Sequence, residues 1–310
     1  MTQSVHRSPG VTVRAAAKIN LHLGVGAPRE DGFHPLATVF QAVGLCDDVT
    51  VSADEPWEIQ VSTPSWMPDG AVPTDASNLV ARAADLLSRH HDVPLGGRVA
   101  IDKAIPVAGG LAGGSANGAA ALVALDRAFD LATSDDDLLA LAAELGSDVP
   151  FALVGGTALG RGRGELLDHV ADGGTWWWVM VPSAEGLSTP DVYRHHDRLR
   201  PDAPVEPEVP HALLEALAAG EPLALARHLH NDLEAAAVDL RPELGELIAR
   251  GESEGALRGM VSGSGPTVVF LAESADHARD LAGALMRGGH DVVLVANGAV
   301  AGAHVVTSYA

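Results

Sequence analysis

A glycine-rich segment could expose backbone amides to a ligand. Residues 106–120 read PVAGGLAGGSANGAA, with five glycines in fifteen residues. Glycine adopts positive φ angles and lets a ligand approach the main chain closely. The alanine-rich residues that follow predict a helix from Ser115 to Phe129. A glycine loop directly before a helix directs free N–H groups and the positive end of the helix dipole at one place, where they bind phosphate without a basic side chain. The alternative is a tight loop that only packs against a neighbouring segment.

Two common phosphate-binding motifs do not fit this loop. Gly109 and Gly114 have the spacing of a Walker A motif, but Ser115 follows directly and the lysine of that motif is missing. The same six residues, GGLAGG, do not form the G-x-G-x-x-G fingerprint of dinucleotide-binding proteins. A phosphate ligand here therefore requires a different kind of loop.

Lysine is rare in this chain, since Lys18 and Lys103 are the two lysines among 20 basic residues. An ammonium group is a compact point charge that arginine does not replace, so these positions are candidates for charge stabilisation. Lys18 lies in a segment, Val11–Val25, whose alternating pattern predicts a strand with Lys18, Asn20 and His22 on one face. The alternatives are that two lysines remain by drift and that Lys18 is a strand-end residue whose ammonium extends to water.

Asp148 is the candidate carboxylate. Ser134 with three following aspartates predicts the start of a helix, and Gly146 predicts its end. The loop from Gly146 to Pro150 then presents Asp148. An aspartate that merely forms a turn before a proline is the alternative for this position.

Charge and composition limit the function classes. The net charge of −21 argues against nucleic acid or an anionic membrane as a partner. The 310 residues contain one cysteine, Cys46, which fits a reducing compartment. No apolar run approaches the roughly 18 residues of a membrane span, and the first ten residues lack the apolar core of a signal peptide. We therefore expect a cytoplasmic protein, either a monomer or a homodimer.

The order of the predicted elements indicates an α+β protein of two domains, 1–165 and 166–310. Strand-like segments follow the first strand at 48–52, 58–62 and 98–103, with a helix at 77–89. A glycine-rich passage, 155–164, separates this half from the second one. There, strands are expected at 176–182, 267–272 and 291–296, and helices at 208–219, 221–229, 243–250 and 274–287.

Three motifs together resemble the signatures of the GHMP kinases, which include galactokinase, homoserine kinase and mevalonate kinase. Residues 106–116 resemble the phosphate-loop pattern P-x-x-x-G-L-x-x-S-[SA] of that family, with one additional residue between Leu111 and Ser115. An N-terminal strand with the sequence AKINL (17–21) and a C-terminal glycine loop, VSGSGPTVVF (261–270), occur in the family order. The resemblance implies the GHMP kinase fold, with an N-terminal α/β domain like that of ribosomal protein S5 and a C-terminal α+β domain.

Within that family, the chain is most similar to the members that phosphorylate 4-diphosphocytidyl-2-C-methyl-D-erythritol (CDP-methylerythritol). The similar segments are KINLHL (18–23), REDGFH (29–34), TVFQ (38–41), LGSDVP (145–150), STP (188–190) and NDLE (231–234). Phe33 departs from the family pattern, which usually has tyrosine there. The resemblance implies transfer of the γ-phosphoryl group of ATP to the 2-hydroxyl of this substrate in isoprenoid biosynthesis, with Mg²⁺ as the metal.

The resemblance also implies a role for each matching residue. Asp148 would act as the base and Lys18 would stabilise charge beside it; Phe33 and Tyr193 would stack on the cytosine, and His34 would hydrogen-bond its edge. Asn20 and Thr189 would contact substrate hydroxyls or phosphates, and Ser115 is a candidate Mg²⁺ ligand. The expected ATP-binding residues are Asn78, Leu79, Lys103, Pro106, Val107, Ala108, Gly109, Gly110, Leu111, Ala112, Gly113, Gly114, Ser115 and Ala116.

Two other functions stay open from the sequence. Another small-molecule kinase of the same family would lack the DGFH segment (31–34) that resembles a pyrimidine-binding loop. A non-catalytic protein that binds a metabolite with this fold would not need both Lys18 and Asp148.

Overall fold

Two long antiparallel strands form the centre of the structure and carry the first catalytic candidates. A computed structural model describes residues 10–53, 56–68, 70–183 and 185–308. Strand β1 (Val11–Val25) pairs along its length with β2 (Leu36–Ser52), and nearly all residues of β1 from Ala15 onward are buried. The loop between them, 26–35, carries Phe33 and His34.

The sheet is continuous through both predicted halves of the chain. The strands after β2 are β3 (Glu58–Ser62), β4 (Arg98–Asp102), β5 (Thr157–Arg161), β6 (Leu166–His169), β7 (Trp176–Val181), β8 (His230–Asn231), β9 (Arg258–Val261), β10 (Val268–Ala272), β11 (Leu294–Gly298) and β12 (His304–Ser308). The main path is β12-β1-β2-β11-β7-β10-β9. Strand β2 also pairs with β5 along its first half and with β4 along its second half, and β8 pairs with β1.

Helices cover this sheet and complete the α+β class that the sequence predicts. They are α1 (Leu79–His91), α2 (Gly113–Ala128), α3 (Asp135–Leu145), α4 (Val149–Val154), α5 (Thr189–Leu199), α6 (His211–Ala219), α7 (Pro222–Ala226), α8 (Glu234–Leu240), α9 (Pro242–Ser253) and α10 (Ala275–Arg287). Across the described ranges, none of these helices combines the length and the apolar character needed to cross a membrane.

Most of the predicted elements are confirmed within a few residues, and the differences have local causes. Ser134 caps α3 by accepting a hydrogen bond from Asp137, and the helix ends at Gly146 as predicted. Helix α2 begins at Gly113, two residues before the predicted start. The glycine-rich passage 155–164, predicted to separate the two halves, contains strand β5. This strand forms because it pairs with β2. The boundary near residue 165 stays a prediction.

The prediction that Lys18, Asn20 and His22 share one face of β1 is wrong for His22. The pairing of β1 with β2 shifts register between Asn20 and His22, so a β-bulge interrupts the alternation of the strand there. Lys18 and Asn20 line the central cleft that is described below, whereas the His22 ring lies 5.5 Å from the ring of His230, outside that cleft.

Helix α2 presents small side chains to the sheet. Ala116, Ala119, Ala120 and Ala121 are completely buried, and they belong to the same apolar cluster as β1 and β2. Side chains of this size permit close packing between a helix and a sheet. The packing fixes the amino-terminal end of α2 relative to β1.

A buried ion pair connects β2 to the start of α2. Asp47 and Lys103 form an ion pair with side chains that are 0% and 2% exposed, and Asn117 donates to Asp47 Oδ2 at 2.8 Å. The other Asp47 oxygen accepts the N–H groups of Ala104 and Ile105 at 2.7 and 2.9 Å. Every oxygen of this buried carboxylate is therefore hydrogen-bonded, which offsets the cost of removing its charge from water.

We predict that Asp47→Ala lowers the free energy of unfolding by about 3–5 kcal/mol, because it leaves the Lys103 ammonium buried without a counter-charge. Asp48→Ala is the matched control. Asp48 pairs with Arg14 at 2.8 Å on the surface, where such a pair contributes at most about 1 kcal/mol. Urea denaturation measures both variants. Equal losses of unfolding free energy in the two variants would show that the buried contacts of Asp47 contribute no more than the surface pair of Asp48.

Candidate functional site

A cleft of about 420 Å³ brings together three segments that are distant in sequence. Strand β1 contributes Lys18 and Asn20, the glycine loop before α2 forms one wall, and a second glycine loop around Gly263–Gly265 forms the adjoining wall. Asp148 lines the same cleft, at the residue before α4. The catalytic and phosphate-binding candidates therefore share one cavity.

The first glycine loop ends in a set of unpaired amides. Ala112 precedes α2 with a left-handed φ of 56°, and no side chain caps the helix. The first N–H that donates within the helix is that of Ala116, to the Ala112 carbonyl at 2.9 Å. The three N–H groups before it, at positions 113–115, have no acceptor among the described residues, so they are available to an anion in the cleft.

Other segments hold the carbonyl groups that could otherwise have satisfied those amides. The Leu111 carbonyl accepts from the Lys18 N–H at 3.1 Å, the Gly110 carbonyl accepts from Ser262 Oγ at 3.2 Å, and the Gly109 carbonyl accepts from the Thr267 N–H at 3.3 Å. The loop is therefore fixed by three contacts to β1 and to the second glycine loop. This arrangement delays the start of the helix and leaves its amides free.

Gly110 is required by the closeness of the two glycine loops. Its φ is 78°, and a Cβ at this position would lie 2.2 Å from the Ser262 carbonyl oxygen. No side chain fits at that distance. The two glycine loops therefore touch through their backbones at this point.

Lys18 and Asp148 face each other at the floor of the cleft. The Lys18 side chain is 9% exposed, and its Nζ lies 3.9 Å from Asp148 Oδ2 and donates to Asn20 Oδ1 at 2.8 Å. Burial lowers the pKa of Lys18, and the neighbouring Asp148 carboxylate opposes that shift. Asn20 in turn donates to Thr38 Oγ1 at 2.8 Å, which fixes its amide. The ammonium and the carboxylate are therefore held close together beside the free amides of α2.

A second cavity, of about 540 Å³, adjoins the first and contains the aromatic candidates Phe33, His34 and Tyr193. The rings of His34 and Tyr193 lie 4.9 Å apart, and His34 Nε2 lies 2.8 Å from Asp197 Oδ1. Burial raises the pKa of Tyr193, so its phenol stays neutral. Phe33 is 51% exposed at the rim, where a flat ligand could stack on it.

Thr189 and Arg163 join the two cavities, and both line each of them. Thr189 Oγ1 lies 2.7 Å from Ser264 Oγ of the second glycine loop. The Arg163 guanidinium carbon lies 5.1 Å from the centre of the Phe33 ring. Sequence reasoning missed Arg163, because it lies in the glycine-rich passage 155–164 and no local pattern indicates that it faces the cleft.

A third, smaller cavity of about 170 Å³ contains the remaining nucleotide candidates, Asn78, Leu79 and Lys103. Asn78 caps α1, with Oδ1 accepting from the Val80 N–H at 2.9 Å. Gly114 lines both this cavity and the central cleft, so the two are adjacent.

The eleven residues of the predicted phosphate loop divide into three groups. Leu111 and Ala116 are completely buried in the core beneath the loop and line none of the three cavities. Of these three cavities, Val107 lines only the smallest. The other eight line the central cleft: Pro106, Ala108, Gly109, Gly110, Ala112, Gly113, Gly114 and Ser115.

Oxygen ligands suitable for Mg²⁺ are few in the described part of the chain. No group there of three or more His, Cys, Asp or Glu side chains could hold a metal ion. Ser115 and Asp148 both line the central cleft and supply a hydroxyl and a carboxylate oxygen. These hard oxygen donors fit a magnesium ion that takes most of its ligands from nucleotide phosphates and water.

Comparison with known proteins gives two family matches. Residues 78–156 match the family described as GHMP kinases N terminal domain, and residues 213–290 match the family described as GHMP kinases C terminal. The predicted two-domain fold of that family is thereby confirmed.

Three similar proteins, each matched over nearly all of its own length, are named as the same kind of kinase. A 4-diphosphocytidyl-2-C-methyl-D-erythritol kinase from Nocardioides sp. strain JS614 is 70% identical over 96% of this chain and 100% of its own length. A kinase of the same name from Thermobifida fusca is 53% identical over 96% of this chain and 98% of its own. A crystal structure of 4-(cytidine 5'-diphospho)-2C-methyl-D-erythritol kinase aligns with a TM-score of 0.74 at 36% identity, over 92% of this chain and 98% of the other.

We predict that Gly114→Val abolishes binding of a nucleoside triphosphate. A Cβ at Gly114 meets only Leu79 Cδ1, at 3.8 Å, so the substitution is tolerated by the fold but places a branched side chain beside the free amides. Gly114→Ala, which adds one methyl group, is expected to weaken binding less. Calorimetric titration with ATP measures the binding affinity of the wild type and of both variants. Unchanged binding by the valine variant would refute the role of these amides.

Proposed function

We propose a catalytic arrangement that proceeds from one premise: the chain belongs to the 4-diphosphocytidyl-2-C-methyl-D-erythritol kinase family, a branch of the GHMP kinases. It is a small-molecule kinase with ATP as co-substrate. The reaction is transfer of the γ-phosphoryl group of ATP to the 2-hydroxyl of CDP-methylerythritol. The observation that carries the arrangement is the meeting of Lys18, Asp148 and the free amides of α2 in one cleft.

Backbone amides hold the triphosphate in this proposal. The chain carries a net charge of −21, so its overall field repels ATP. The N–H groups at 113–115 and the dipole of the 16-residue helix α2 supply local positive potential. Asn78, Leu79 and Lys103 then form the pocket for the adenine, since their cavity adjoins the cleft at Gly114.

Asp148 accepts the proton of the attacking hydroxyl, and Lys18 offsets the charge on the group in transfer. Phosphoryl transfer asks the protein chiefly for positioning and charge stabilisation, because its transition state is loose. Lys18 Nζ lies 3.9 Å from Asp148, so the ammonium also favours the ionised form of that carboxylate. Asn20 and Thr38 fix the position of Lys18 through their chain of hydrogen bonds.

The second cavity takes the cytidine. Tyr193 and Phe33 offer flat faces, and base–aromatic stacking contributes about 1–3 kcal/mol per base. His34 supplies a polar edge within the same cavity, held by Asp197. Arg163 and Thr189 lie where the two cavities join, and for this reason we assign them to the diphosphate of the substrate.

Mg²⁺ would bind in the cleft as a partner of ATP, with the Ser115 hydroxyl as the candidate side-chain ligand. When bound, the metal neutralises charge on the phosphate oxygens. A metabolic kinase with a single cysteine suits the cytoplasm, and we propose that location.

We predict that Asp148→Asn lowers kcat by about 100- to 10,000-fold, since it removes the proton acceptor while keeping the shape of the side chain. ATP affinity should change little, because Asp148 lies at the residue before α4 and not in the loop that carries the free amides of α2. The assay uses ATP and Mg²⁺ with CDP-methylerythritol, and with mevalonate and homoserine as competing acceptors. Near-normal turnover by the variant would remove Asp148 from the mechanism; preference of the wild type for mevalonate or homoserine would contradict the proposed substrate.

We predict that His34→Ala raises the KM for CDP-methylerythritol on the order of 10-fold, through the loss of one hydrogen bond to the base. The KM for ATP should stay constant, because His34 lines only the second cavity among the three described above. His211→Ala, at a histidine whose side chain is 83% exposed on α6, is the control. An equal increase in both KM values would show that the base pocket is misassigned.

A further inference from the structure

Asn231 is a buried polar residue outside the cleft that connects strand β1 to the second glycine loop. It is 6% exposed and lies on the two-residue strand β8. That strand pairs in parallel with β1, at His22 and Leu23, a few residues beyond Lys18 and Asn20. Asn231 is therefore attached to the strand that carries the catalytic lysine.

The side chain of Asn231 reaches from β8 to the second glycine loop. Its Nδ2 donates to the carbonyl oxygens of Val261 and Gly263, both at 2.8 Å. Its Oδ1 accepts from the Leu233 N–H at 2.9 Å. Both donors and the acceptor of the amide are used, so the side chain has one orientation.

The segment that Asn231 holds borders the reacting end of the cleft. A Cβ on Gly263 would lie 3.4 Å from Lys18 Nζ and 3.5 Å from Asn20 Oδ1. The N–H groups of Gly263 and Ser264 have no acceptor among the described residues, and both residues line the cleft. Ser262 of the same loop donates to the Gly110 carbonyl. The contacts of Gly263 reach Lys18 and Asn20, so a displacement of Gly263 would disturb these two side chains first.

We propose that Asn231 is a positioning residue for phosphoryl transfer. It turns the Val261 and Gly263 carbonyl groups away from the cleft and fixes loop 262–265 against Lys18 and Asn20. This role rests on the proposed function. It concerns the reacting end of the cleft and not the nucleotide pocket of Asn78, Leu79 and Lys103, which Asn231 does not contact.

Asn231→Asp tests the proposal, because a carboxylate keeps the shape and the acceptor for Leu233 but faces two carbonyl oxygens without a proton to donate. We expect kcat to fall by about 100-fold, the cost typical of a small displacement of catalytic groups. The dissociation constant of ATP should stay within about 3-fold, since the amides at 113–115 are untouched. A purely structural role would instead lower the melting temperature and leave kcat per folded molecule unchanged.

Asp232→Asn is the matched control on the neighbouring residue. Asp232 Oδ2 accepts from the Val25 N–H at 2.9 Å, and its Oδ1 lies 2.8 Å from His230 Nε2 and 4.0 Å from Arg200 Nη1. Among the described residues, loop 262–265 is not a partner of this side chain. This variant should keep wild-type kcat. If Asn231→Asp fails to fold, Asn231→Ser, which retains one donor and adds no charge, is expected to show the same loss of kcat with retained ATP affinity.

The possible outcomes separate the two proposals. If the wild type turns over CDP-methylerythritol and a folded Asn231 variant keeps the wild-type kcat, the positioning role alone is overturned. A parallel loss of kcat and ATP affinity would also overturn it, because the effect would then extend to the nucleotide pocket. Absence of wild-type turnover would overturn the proposed function and this role with it.

Discussion

The backbone contact between the two glycine loops is the constraint on which the site depends. Gly110 approaches the Ser262 carbonyl so closely that a Cβ would lie 2.2 Å from it. The contact holds the carbonyl groups of residues 109–111 on partners outside α2, so the first N–H groups of that helix have no acceptor among the described residues. The glycines of residues 106–114 therefore serve two purposes: they permit the close approach of two loops, and they leave amides uncovered for an anion.

The electrostatics of the cleft explain why amides are needed. The described side chains that line it include two cations, Lys18 and Arg163, in a chain of net charge −21. Lys103, the other lysine, is paired with Asp47 in the core, so most of its charge is neutralised. Burial lowers the pKa of Lys18, and the Asp148 carboxylate beside it favours the charged form. Fixed dipoles and one buried ammonium thus provide the positive potential that the surface of this protein lacks.

Features that arise from local patterns could be predicted from the sequence, and features that depend on distant contacts could not. Helix α3 was predicted with both ends, because Ser134 and Gly146 are local signals. Strand β2 was predicted only in its last five residues, since a strand buried on both faces shows no alternation. The short helix after Asp148 was missed for a similar reason: six residues are too few for a period.

The same distinction applies to the candidate site. The glycine loop, Lys18 and Asp148 were found from residue type and spacing, and the structure places them in one cleft. The roles of Asn231 and Arg163 could not be predicted from the sequence, because their partners lie far away in the chain. Asn231 donates to the carbonyl groups of Val261 and Gly263. Arg163 lies against the ring of Phe33. The partner of Lys103, 56 positions earlier, likewise had no sequence signal.

A crystal structure with a non-hydrolysable ATP analogue and Mg²⁺ tests the central claim most directly. The account predicts phosphate oxygens within about 3 Å of the N–H groups at 113–115, with the terminal phosphate near Lys18 and Asp148. A triphosphate bound elsewhere, with residues 106–116 unchanged and out of contact, would contradict it.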